Sequence, residues 1–282
     1  MSEASPLEKN ESTPYDVAYN CIREELDRGV IELPLLPQVA SEVLASTLDD
    51  KANALRLASL IEKDQGLATH ILRTVNSPAF RGSAEIVALK QAIARLGMER
   101  IREIALTISL RGSLLTSGVF EEKIEDAWTS GLRTALWAKE IARKSRKNVE
   151  VAYLCGLLHN VGVAVVINRL RNLNPGALSD LAVNKLIAAL AADAGKTLVE
   201  QWQLPESVSD CLVEEENDSN RDLLMVLAAS KEIAIWHADD DLDEEDVLME
   251  DAIQYLNFYP DDVTELVELA PTIAEMVEGM TR

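Results

Sequence analysis

The stretch Tyr153-Leu154-Cys155-Gly156-Leu157-Leu158-His159-Asn160-Val161-Gly162-Val163-Ala164-Val165-Val166 sets one polar pair, His159 and Asn160, inside a run that is otherwise apolar. So little polarity predicts burial, and a buried imidazole beside a buried carboxamide must find hydrogen-bond partners or bind something. The pattern predicts a helix ending near His159 and a second from about Gly162 to Leu173, closed by the break Asn174-Pro175-Gly176.

Outward from that stretch, the 282 residues contain 48% hydrophobic side chains but only 4% aromatic ones, with many Ala and Leu. This favours close-packed helices, so the expected fold class is all-α. The formal net charge of −21 repels phosphate backbones and disfavours general nucleic-acid binding. Three cysteines, Cys21, Cys155 and Cys211, are too scattered for a disulfide framework or a zinc knuckle, which fits a reducing cytoplasm. The first twelve residues lack an apolar core of the signal-peptide kind. No apolar run is expected to reach the roughly 18 residues that span a bilayer, so no membrane insertion and a cytoplasmic location are expected.

Taken in order, residues 1–12 read as disordered and Thr13-Pro14-Tyr15-Asp16 as a helix start, the helix stopping at Gly29. Leu33-Pro34-Leu35-Leu36-Pro37 forces an extended entry to a helix running to about Leu48. Asp64 caps the next helix, with Leu67, Ile71 and Val75 as its buried stripe, and Asn76-Ser77-Pro78 turns the chain, Asn76 closing the turn with its side chain. His70 on this helix reads as structural. A helix from Ala88 ends at Gly97, taken as a left-handed C-cap, and Met98 to Leu115 follows with Ile101, Ile104, Ala105, Ile108 and Leu115 inward. Thr116 to Glu122 is the best boundary, and Ile124 to Arg146 is helical with Trp128, Leu132, Ala135, Leu136 and Ile141 inward. Residues 178–193 and Lys196 to Trp202 are expected as separate helices, and Pro205 opens another. Arg221 to His237 is helical, His237 being explained by the helix dipole. The run Asp239 to Asp246 reads as a solvated linker. Asp239, Asp241, Asp243 and Glu250 have calcium-loop spacing, but Glu244 stands where such a loop needs glycine. Val247 to Met280 resolves into short amphipathic helices.

Gly156-Leu157-Leu158-His159-Asn160-Val161-Gly162 resembles the G-L-L-H-D-I-G core of the HD superfamily, with Asn160 in place of the aspartate. Four further stretches agree in order and spacing with its HDOD branch, the HD-related output domain of bacterial signalling proteins, over roughly residues 30 to 238. They are Leu33-Pro34-Leu35-Leu36-Pro37, Leu72-Arg73-Thr74-Val75-Asn76-Ser77, Ala92-Ile93-Ala94-Arg95-Leu96-Gly97 and Trp202-Gln203-Leu204-Pro205-Glu206. The resemblance implies structural roles for Leu33, Pro34, Leu35, Pro37, Asn76, Ser77, Leu96, Gly97, Gly162, Trp202, Leu204 and Pro205. It also implies an N-terminal helical bundle (13–115) packed on a degenerate HD-like bundle (116–238), followed by an acidic linker and C-terminal helices (239–282). A groove is expected between the two bundles, lined by the Arg-bearing helix.

Active HD enzymes hold divalent metal through several His and Asp side chains. The chain has three histidines, His70, His159 and His237, and only His159 occupies a motif position. The resemblance places Ser130, Asn160, Ala191 and Ser230 where relatives carry ligands, and Glu215 and Glu216 near a later histidine pair. An imidazole and an amide bring no negative charge to offset the dehydration of a dication. The expectation is therefore no catalytic metal, no cofactor, and a non-enzymatic module that binds another signalling or regulatory protein. Two alternatives stand beside it: a metal-dependent phosphohydrolase using His159 with Glu215 or Glu216, and a cyclic-dinucleotide effector binding through Arg95, Arg102 or Arg111, members of the basic cluster Arg95, Arg100, Arg102 and Arg111.

Overall fold

The computed structural model describes residues 13–45, 50–80, 82, 84–173, 178–213 and 220–281, the side chains of 50–55 excepted, and among these every regular element is a helix. The expectations for residues 1–12, for a helix end at Leu48, for the break at Asn174-Pro175-Gly176 and for Glu215 and Glu216 fall outside the described residues.

Local chemistry fixes the first helix. In α1 (Pro14–Asp27) the Thr13 hydroxyl accepts from the Asp16 N–H while the Asp16 carboxylate accepts from the Thr13 N–H, a reciprocal cap that satisfies two end donors. Its buried stripe is Ala18, Ile22 and Leu26, and Gly29 ends the turn at φ 62°. The helix lies against α8 (Val161–Asn172) and α9 (Asp180–Gln201). There the Arg169 guanidinium donates twice to Glu25, at 2.6 Å each, and Arg23 pairs with Asp193. Arg171, two residues on, donates to the carbonyls of Thr116 and Val119 and so holds the 115–120 connection.

Four helices pack together ahead of that connection: α2 (Gln38–Ala45), α3 (Asp50–Lys63), α4 (Gln65–Val75) and α5 (Leu89–Leu114). Asp64 caps α4 by accepting from the Leu67 N–H, and Leu67, Ile71 and Val75 are buried as the spacing predicts. Asn76 ties the turn after α4 with three bonds of 2.8 Å. Its amide donates to the Leu72 and Ile86 carbonyls and its carbonyl accepts from the Ile86 N–H. Asn76→Ala is expected to lose about 2–3 kcal/mol in urea unfolding, because it strands both polar groups of the buried Ile86 backbone.

Gly97 corrects one expectation. It has a positive φ of 80°, but its ψ of 157° is extended, so it is a kink within α5 and not a left-handed C-cap. After it, Ile101, Ile104, Ala105 and Ile108 point inward as expected, but Leu114 fills the last core position and Leu115 is only half-buried.

Beyond the connection come α6 (Glu121–Lys144), α7 (Val149–Leu158), α8, α9, α10 (Glu206–Leu212) and α11 (Arg221–Ala238). α7 and α11 pack along α6, and α9 packs along α8. Trp128, Leu132, Ala135, Leu136 and Ile141 are buried on α6. α9 runs unbroken through Gly195, which corrects the two helices expected there. The glycine is not a stop: its backbone lies at the α8–α9 crossing, where a Cβ built at Gly162 would lie 2.8 Å from the Gly195 nitrogen.

The segment Val149–Asn172 is apolar enough, by length and composition, to cross a membrane, with a mean hydropathy of 1.7 over its window; this corrects the expectation that no run is. In the fold 72% of that window is buried inside the protein, and the helix is interrupted at His159 and Asn160.

The acidic run after α11 supplies caps. Asp243 accepts from the Glu245 N–H ahead of α12 (Glu244–Met249), and Glu250 from the Ile253 N–H ahead of α13 (Asp251–Tyr255). α14 (Pro260–Val267) and α15 (Ala270–Thr281) return to α6, and α15 also touches α4 and α5. Gly279 of α15 comes so near Ser77 that a Cβ there would lie 2.4 Å from the hydroxyl.

Candidate functional site

The His159–Asn160 step sits where α7 meets α8, and both side chains are half-buried, not sealed in the core as their surroundings suggested. Leu158 and Val161, on either side, are buried, so the chain turns just as the pair reaches the edge of the core. The His159 Nδ1 donates to the Gly156 carbonyl at 2.8 Å, a local bond that assigns the proton to Nδ1. Asn160 starts α8 without using its side chain as a cap. Instead it lines a cavity of about 10 Å³ with Leu114, Ile124, Ala127, Trp128, Leu157, Val161 and Ala164. That is room for one water molecule. Trp128, which also lines the cavity, has its indole N–H buried with no hydrogen-bond partner. It is a donor with no lone pair to offer a cation.

The other positions aligned with HD ligands add little. Ser130 is half-buried on α6, the Ser230 hydroxyl donates to the Val226 carbonyl of its own helix, and Ala191 presents its backbone carbonyl to Gly162. Among the described residues no group of three or more His, Cys, Asp or Glu side chains is gathered to hold a metal ion. Among the described residues at these positions, His159 alone carries a side chain that commonly binds a divalent metal, and Glu215 and Glu216 lie outside the described residues.

A second feature is larger. A groove of about 760 Å³ opens between α2 and α5 on one side and α6, α7 and the 202–205 corner on the other. Its apolar walls include Leu36, Leu44, Leu106, Leu154, Trp202 and Leu204. The Trp202 indole donates to the Pro34 carbonyl at 2.9 Å, joining two of the signature stretches across 168 residues of sequence. Leu33 and Pro37 are half-buried beside this tie, while Leu35 is 80% exposed and so makes no packing contribution to the core.

The floor of the groove is polar. Lys139, only 8% exposed, pairs with Glu103, which also receives Arg100 at 3.3 Å. The Lys139 ammonium lies 6.0 Å from the centre of the Tyr153 ring, and the Tyr153 hydroxyl bonds the Thr107 hydroxyl at 2.6 Å. Burial pushes the Lys139 ammonium below its ordinary range, with Glu103 pulling the other way. Burial also pushes the Tyr153 phenol far up. The floor is thus an ion pair of Lys139 and Glu103 beside the Tyr153–Thr107 hydroxyl pair, set within the apolar walls.

The three arginines singled out from sequence do not share a surface. Arg95 donates to the Ala84 carbonyl, Arg111 pairs with Glu125 at 3.4 Å, and Arg102 alone lines the groove. Nine residues separate Arg102 from Arg111, which puts them on opposite faces of one helix. Arg111 and Arg73 instead stand near His70, whose pKa is lowered by burial first and by these two cations second.

His237 corrects another expectation. The Trp137 indole donates to its Nδ1 at 3.1 Å, with the rings edge to face at 5.4 Å, and its other nitrogen reaches the Ala270 backbone. A nitrogen that accepts cannot be protonated, so this is a neutral imidazole and not a cation on the helix dipole. Burial and then Arg133 lower its pKa, against an upward pull from Asp240. The folded pKa lies below the unfolded one, so the unfolded state binds the extra proton and stability is lost as pH falls through the histidine range. The urea midpoint is therefore expected to drop between about pH 7.5 and about pH 5.5, a window around the ordinary histidine value. The slope should be shallower in His237→Gln, whose amide accepts the indole N–H without titrating.

Comparison with known proteins bears on this arrangement. Residues 33–217 match the HDOD domain family. A curated protein of Treponema pallidum (strain Nichols), named only as uncharacterized, is 26% identical over 192 residues, covering 63% of this chain. The chain spans about a third of that relative's own length, 36%. Among solved structures, an HDOD domain protein of unknown function from Geobacter sulfurreducens superposes with a TM-score of 0.69 at 20% identity, covering 94% of this chain and 97% of the other. A provisionally named metal-dependent phosphohydrolase from Shewanella amazonensis SB2B superposes with a TM-score of 0.67 at 15% identity, covering 95% and 99%. At such identities the two structures speak for the fold.

Proposed function

Because the chain belongs to the HDOD domain family, we propose that it is a non-catalytic bacterial signalling module that acts by binding another protein. The observation that carries this reading is the contrast between the two openings. Where an HD enzyme needs metal and phosphate, Asn160 faces a cavity of about 10 Å³ walled by hydrocarbon and one indole donor. Where the two helical groups meet, a groove of about 760 Å³ lies open, within the size range of binding clefts. Hydrolysis needs a cation that lowers the pKa of a bound water, and the side chains at this step supply one imidazole towards holding it.

The test is metal content after purification without chelators, together with turnover of nucleotides and phosphodiesters in added Mn. Neither stoichiometric metal nor turnover is expected. Restoring the aspartate by Asn160→Asp is expected to create neither, since the other positions remain Ser130, Ala191 and Ser230. Bound Mn, Fe or Zn at one or two per chain, with turnover abolished in His159→Ala, would overturn the proposal in favour of a phosphohydrolase.

A further inference from the structure

The groove's chemistry says what kind of segment it takes. We propose that it receives a basic amphipathic peptide segment of a partner protein, its apolar side chains seated in the groove and its Lys or Arg side chains paired with Glu99 and Glu150. This rests on the reading of the chain as a binding module. The cations lining the groove do not select an anion: Lys139 is buried and already paired with Glu103 on the floor, and Arg102 already interacts within the protein. The charges that face solvent at the rim are acidic, since Glu99 and Glu150 are both exposed. They stand on opposite walls, one at the start of the straight part of α5 and one in the first turn of α7. Between them, Val43, Leu44, Leu106, Val151, Leu154 and Leu204 offer an aliphatic surface that suits branched apolar side chains and not the hydrated stem of a polyamine. A net charge of −21 adds long-range attraction for a cationic partner. Helix-in-groove recognition works in this way, with apolar anchors fixing register and charged flanks fixing orientation.

The experiment uses the full chain and three fluorescent synthetic peptides, read by anisotropy: an amphipathic Leu/Lys helix former, its Leu/Glu counterpart, and a Lys/Ser peptide of equal charge. Saturable one-to-one binding is expected for Leu/Lys alone. The double variant Glu99→Lys with Glu150→Lys should weaken it by about tenfold or more, because rim charges are reversed against the ligand. Equal reversals at Asp261 and Glu275, exposed acids outside the groove, should change it far less. Ser41→Trp, at an exposed groove position, should block the site without touching charge. Four outcomes overturn the proposal: no saturable binding, binding that survives both groove variants, equal binding of Lys/Ser, or a preference for Leu/Glu, which would assign the groove to an anionic ligand. Dimerisation of the chain abolished by Ser41→Trp would likewise overturn it, by giving the groove to a second copy. Any of these leaves the non-catalytic reading standing, since that falls only with bound metal and turnover.

Discussion

Gly162→Ala is expected to cost more than about 3 kcal/mol, or to prevent folding, because the added methyl collides with backbone that has no room to yield. A Cβ built at Gly162 lies 1.7 Å from the Ala191 carbonyl oxygen, 2.7 Å from its carbon and 2.8 Å from the Gly195 nitrogen. Flexible side-chain ends can rotate aside, whereas these atoms belong to the buried face of α9. Relief requires α8 and α9 to separate, and both contribute fully buried residues at this crossing, among them Val166, Leu190 and Leu198. Separation would also shift the His159–Asn160 step, which leads directly into α8. Gly112→Ala is the control. That residue is exposed within α5 with nothing within 4 Å of a built Cβ, so alanine should stabilise by about 0.5–1 kcal/mol through helix propensity. Gly131→Ala should fall between, its Cβ meeting the Leu157 carbonyl at 2.9 Å. Urea unfolding followed by circular dichroism ranks the three. A Gly162→Ala protein within about 1 kcal/mol of the parent would mean that the helices do not cross this closely, since even modest overpacking costs about that much.

What was legible in advance was local. The caps at Thr13 and Asp64, the stripe Leu67, Ile71 and Val75, and the break at His159 each depend on residues within a few positions of one another, and the turn closed by Asn76 spans only ten residues to Ile86. The misreadings share the opposite property. Gly195 signals a helix end by propensity, but packing of its backbone against Gly162 of α8 outweighs that local preference. His237 looks like a dipole partner until Trp137, 100 residues earlier, donates to it. The arginines of α5 form a cluster along the chain and scatter around the helix once it is wound. The groove was expected between two bundles with the Arg-bearing helix as a lining, yet its floor pair gave little sequence signal: Lys139 lies among buried apolar residues of α6, and its partner Glu103 is 36 residues away. A lysine amid Trp137, Ala138, Ile141 and Ala142, all buried, is the one hint that a buried anion had to exist.

That pair carries the second large effect. Glu103→Leu is expected to destabilise by about 3–5 kcal/mol, the cost of leaving a buried charge without its counter-ion. Lys139 would keep the unfavourable company of Arg100 and Arg143, both of which already push its pKa down. Lys139→Met should cost less, about 1–2 kcal/mol, because Glu103 keeps Arg100 at 3.3 Å and a methionine can fill the stem's place. The double variant should recover most of the Glu103→Leu loss, since apolar replacement of both partners removes the desolvation that the pair itself carries. The deficit of Glu103→Leu should also shrink as pH rises towards the lysine range. A lone Lys139 has a folded pKa below its unfolded one, so its penalty is present at low pH and lifts once the unfolded chain also loses the proton. Equal losses in the two single variants, or a double variant no better than Glu103→Leu, would mean that the two side chains are not coupled on the groove floor. The rim acids Glu99 and Glu150 remain in the double variant, so its peptide binding separates their contribution from that of the floor. A floor that only shapes the groove predicts unchanged charge selectivity with altered affinity for the apolar side chains.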